Sequence, residues 1–116
     1  MKKLKSTFTS DMDKCCICDL FDRQHLNKQR IAVCKGQCYL IERHHCFEGR
    51  QGYKSKSEEY GYIFPINVYL HPNGVRADGI ESKKCDTLMK ELCQKDYERK
   101  HGDCRDFIRE FGKNYL

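Results

Sequence analysis

The residue types with the most chemistry crowd into the first half of the chain. Cys15, Cys16 and Cys18 are followed by Cys34 and Cys38, and these run into the pair His44-His45. A Cys-x2-Cys and a Cys-x3-Cys separated by fifteen residues have the layout of a four-thiolate zinc site. Cys15, Cys18, Cys34 and Cys38 are therefore the favoured ligands of a structural zinc ion, because four thiolates converge well on a tetrahedral metal. Two other assignments compete: a ligand set that keeps Cys15 and Cys18 and recruits His71, and plain burial of free thiols as small apolar side chains. The doublet His44-His45 offers something different, a second and reactive metal position.

Short elements must position these groups. Ile31-Ala32-Val33 and Tyr39-Leu40-Ile41 are β-prone runs on either side of the Cys34 to Cys38 turn, where Gly36 allows the positive φ of a zinc knuckle. Residues 47–61 read as loop, with Gly49, Gly52 and Gly61 and the charges Arg50, Lys54 and Lys56. A β-rich run follows from Tyr62 to Leu70, interrupted by Pro65, which argues for an edge strand or a bend. His71-Pro72-Asn73-Gly74 then makes a turn. From Ser82 the period changes: Cys85, Leu88, Met89, Leu92, Cys93 and Tyr97 share one helical face. That helix stops at His101-Gly102, and a shorter one over Cys104 to Phe111 carries Phe107, Ile108 and Phe111 before Gly112.

The composition bounds what such elements can build. A chain of 116 residues allows one domain, expected over residues 15–116 behind a flexible basic arm at 1–14. Hydrophobic residues make up 39% against 34% charged, and there is no Trp, so the core is thin and a structural metal would help to hold it. Nine cysteines without an apolar leader argue for a reducing, intracellular setting, where close Cys pairs are metal ligands more often than bridges. A net charge of +5 suits contact with nucleic acid without requiring it, and no apolar run reaches the roughly 18 residues that span a bilayer.

From Arg43 onward the chain resembles small phage and prophage proteins of the HNH endonuclease class. The residues that carry this are Glu42-Arg43-His44-His45 with Phe47-x-Gly49, Ser57-Glu58-Glu59-Tyr60-Gly61, Val68-Tyr69-Leu70, Leu92-Cys93-Gln94 and the ending Phe111-Gly112-Lys113-Asn114-Tyr115-Leu116. The resemblance covers roughly residues 38–116. It implies a small α+β protein with a zinc-stabilised ββα-metal fold, an N-terminal zinc knuckle and C-terminal helices. It also implies that His44 holds a divalent ion and that His45 deprotonates the water attacking a phosphodiester. Asn73 would orient that base. Where the family typically reads Gly-Val-His, this chain has Gly79-Ile80-Glu81, so a carboxylate stands in the place of the last metal-binding His. Glu81 could ligate magnesium or manganese.

Two expectations of different class follow. The first is a zinc-binding, HNH-like phage protein that has lost catalysis and acts by binding DNA or a host protein in the bacterial cytoplasm, for instance as an inhibitor of a CRISPR nuclease. The second is an active metal-dependent DNA endonuclease with His45 as base, Asn73 as orienter, and His44 and Glu81 on the metal.

Overall fold

The computed structural model describes residues 4–20, 41–68, 70–71 and 79–116, with the side chains of Cys18, Asp19 and Glu81 outside the description. The elements run α1 (Ile17–Leu20), β1 (Ile41–His45), α2 (Tyr53–Tyr60), β2 (Ile63–Asn67), α3 (Gly79–Lys100) and α4 (Cys104–Phe111). The protein is thus α+β, with one antiparallel pair of strands in the register Ile41↔Asn67 to His45↔Ile63. The expected zinc knuckle falls on residues outside the description.

All five residues of β2 are buried, so the strand lacks the polar alternation of a half-exposed sheet. Its second face is covered by the N-terminal segment. Phe8 stacks on Phe64 and Tyr62 with ring centroids 5.1 and 5.9 Å apart, and the Thr7 N–H donates to the Gly61 carbonyl. Pro65 has no N–H for the ladder; it stands opposite Arg43, and its carbonyl accepts the Cys16 N–H at 2.9 Å.

The stretch 47–61, expected as loop, contains α2. Gly52 and Gly61 bracket that helix in the left-handed region, and the Gly61 N–H closes it on the Glu58 and Ser57 carbonyls. Only Ser57 of its eight residues is buried. The Ser57 hydroxyl accepts from the Phe47 N–H at 3.0 Å and donates to the Phe47 carbonyl at 2.8 Å. A polar helix pinned through one serine has no apolar stripe, so periodicity could not announce it.

The long helix α3 begins at Gly79, three residues before the expected start, and of the expected face it buries Cys85, Met89, Cys93 and Tyr97 but leaves Leu88 and Leu92 half-buried. α4 opens with a reciprocal capping box between Asp103 and Asp106, backbone to side chain at 3.0 and 2.9 Å. Its Phe107 and Phe111 are fully packed against Phe47 and Tyr97, whereas Ile108 is 37% exposed. Tyr60 and Tyr97 both donate to the Glu110 carboxylate, which ties α2 and α3 to α4. The core cluster therefore sits between the sheet and the two C-terminal helices, directly beneath the end of β1.

Candidate functional site

β1 ends in the histidine doublet, and neighbouring strand residues address opposite faces. His44 is 3% exposed and His45 9%. They meet different partners. His44 lies edge to face against His71, with ring centroids 4.8 Å apart, whereas His45 places Nε2 3.6 Å from the Glu58 carboxylate of α2. His71 reaches this position because the chain turns directly after β2, closed by the Leu70 N–H on the Asn67 carbonyl. Its Nδ1 lies 3.2 Å from Glu42 Oε2 without the alignment of a hydrogen bond.

Neither nitrogen of His44 has a hydrogen-bond partner among the described residues, and the same holds for Nε2 of His45 and Nδ1 of His71. An unpartnered buried polar group costs about 1–3 kcal/mol. His44 alone is unpartnered at both ring nitrogens, since His45 and His71 each have a carboxylate within 4 Å. Burial, reinforced by the charges of His71, Lys90 and His45, pushes the His44 pKa down to about 3. Burial also lowers that of His45, against the opposing pull of Glu58. Both rings are thus neutral near pH 7, the form that ligates a metal or takes a proton.

His44 opens onto a polar cavity of about 150 Å³ that Cys46, Glu48, Asp86, Lys90 and Tyr115 also line. Across it, Lys90 Nζ pairs with Asp86 at 2.7 Å, an i,i+4 bridge on α3. Tyr115 is brought over the cavity by Gln94, a fully buried side chain whose Oε1 accepts the Tyr115 N–H at 2.7 Å and whose Nε2 donates to Asn114 at 2.8 Å. Sequence reasoning missed Lys90, Asp86 and Glu58 as neighbours of the doublet. The Asp86–Lys90 spacing was a signal for the first two; nothing in the sequence aimed Glu58 at His45.

The structure brings His44 and His71 together, while His45 turns to Glu58. Cys15 is buried beside Asn67, whose amide donates to its sulfur at 3.9 Å. His71 stands against His44, and Cys18, which the alternative ligand set groups with it and Cys15, has its side chain outside the described residues. Cys34, Cys38, Asn73 and the side chains of Cys18 and Glu81 lie outside the described residues. Glu81 is in the first turn of α3. Among the described residues no group of three or more His, Cys, Asp or Glu is arranged to hold a metal ion. His44 and His71 form a pair, and imidazole nitrogens fit zinc, copper or nickel.

No family model matches the chain, and neither the curated proteins nor the solved structures include a match to it. Among the described residues no helix is long and apolar enough to cross a membrane.

Proposed function

We propose that this chain is a metal-binding protein of the HNH-like ββα type, in which His44 and His71 hold a divalent ion and which acts by binding its target without cutting it. The observation that carries the reading is the buried His44 ring, unpartnered at both nitrogens and set edge-on against His71. A strand ending in the doublet pairs antiparallel with a second strand, with α2 between them, and a long helix follows, which is compatible with the ββα arrangement that the resemblance implies. Cys15, Cys18, Cys34 and Cys38 supply a separate structural zinc site in this reading, which adds stability where apolar surface is scarce.

Loss of cutting is supported by Glu81, a carboxylate where the resemblance expects the last metal-binding histidine. A net charge of +5 sets the protein apart from a DNA mimic. Its target is DNA or a host protein, and the phage resemblance favours a component of host defence such as a CRISPR nuclease.

A second reading, active cleavage, is favoured by the His45–Glu58 contact, since a carboxylate beside a neutral imidazole strengthens it as a base. Plasmid nicking with magnesium, manganese and nickel, run beside His45→Ala, separates the two. Binding without nicking supports the first; nicking that disappears in the variant overturns it.

A further inference from the structure

The His44 cavity continues outward along α3. Asp86, Lys90 and Tyr115, which line it, also line an outer hollow of about 440 Å³ together with Thr87, Lys113 and Asn114. Thr87 belongs in turn to a third hollow of about 360 Å³, where Lys84, Leu88 and Glu91 complete the lining. The three hollows adjoin through shared residues, so they form a track and not a closed pocket. Each of the outer two falls within the roughly 300–1,000 Å³ of small-ligand sites, which leaves room for a nucleotide-sized group.

One side of the outer hollow is α3, and the other is the segment Lys113 to Tyr115. Gln94, fully buried, fixes that segment by accepting the Tyr115 N–H at 2.7 Å and donating to Asn114 at 2.8 Å. Two ammonium groups converge on the Tyr115 ring, Lys90 Nζ 5.9 Å and Lys113 Nζ 5.5 Å from its centroid. Lys90 makes two hydrogen bonds to the Asp86 carboxylate, at 2.7 and 2.8 Å, and an ammonium has three donors. One donor thus remains for a ligand oxygen. Lys113 is exposed and has no carboxylate partner among the described residues. With Asp86 offsetting one of the two cations, the hollow keeps one net positive charge.

We infer that this track binds single-stranded nucleic acid, with Lys90 and Lys113 on phosphates of the strand and the Tyr115 ring between them as the wall against which a base packs. A phosphodiester carries one negative charge, which matches what Asp86 leaves uncompensated. A basic groove with an aromatic side chain follows a strand without reading its sequence, and a run of linked hollows suits a polymer better than a compact ligand. The net charge of +5 favours the same encounter. The inference rests on the reading of a protein that binds its target without cutting it, and takes nucleic acid as that target. It needs no metal at His44.

The test is fluorescence anisotropy of a labelled oligothymidylate with the full-length protein in chelator, repeated over a range of salt concentrations. Lys113→Gln should weaken binding by more than about threefold and flatten the logarithmic salt dependence by about 0.7, the loss of one phosphate contact on a single strand. Lys113 is exposed, so the substitution leaves the core untouched. Lys95→Gln, exposed on α3 outside the three hollows, removes the same charge and should leave the slope unchanged. Absence of binding, equal effects of the two variants, tighter binding of a duplex, or displacement of the strand by an acidic peptide at equal charge overturns the inference. The metal reading fails separately, if zinc leaves His44 and His71 unmoved while the oligonucleotide still binds through Lys113.

Discussion

His44 and His71 meet edge to face at 4.8 Å between ring centroids, and no hydrogen-bond partner among the described residues satisfies either nitrogen of His44. The contact joins the end of β1 to the turn that follows β2, so it depends on the strand register that sets His44 opposite Phe64.

Acid should destabilise the metal-free protein through His44. Its folded pKa, about 3, lies far below the ordinary imidazole value of 6.5, so the unfolded chain binds the proton first as pH falls. Stability from this group is complete above about pH 6.5 and is lost as pH drops toward about 3, at up to about 1.4 kcal/mol per pH unit. Urea midpoints measured in chelator at about pH 7 and about pH 5 should fall steeply for the unaltered chain and less for His44→Gln.

Gly61→Ala should cost about 1–2 kcal/mol from backbone conformation alone, since φ is +75°. An added Cβ would also stand 2.9 Å from the Thr7 backbone nitrogen, which has no flexible end to swing away. Thermal melting should show the loss. Gly49→Ala, whose Cβ would meet nothing within 4 Å, should show only the backbone part.

Ser57→Ala should destabilise by about 1–3 kcal/mol, because the buried Phe47 N–H and carbonyl both lose their side-chain partner. Chemical denaturation measures it directly. Ser55→Ala, exposed on the same helix, serves as the control and should change stability by less than about 0.5 kcal/mol.

The helices of the C-terminal half were legible in the sequence because they carry their own punctuation. Cys85, Met89, Cys93 and Tyr97 repeat at helical spacing, and Gly102 and Gly112 mark the two stops. β2 was legible as a run but not in its depth: Phe8, distant in sequence, covers the face that alternation would have left to water. α2 was hidden because its stability comes from two glycine ends and from Ser57 reaching Phe47, none of which has a period. At the site, the doublet stood out by residue type alone. The pairing of His44 with His71 did not, since it follows from strand register and from the turn at Leu70, and a single sequence displays neither.

The most direct test of the central claim is titration of zinc into the protein, followed through the imidazole nitrogen resonances. Metal binding at His44 and His71 predicts that both rings shift together at one stoichiometric point, and that His71→Ala weakens the ion's hold on His44 by more than about tenfold. Zinc taken up with the His44 and His71 resonances unmoved would contradict the account.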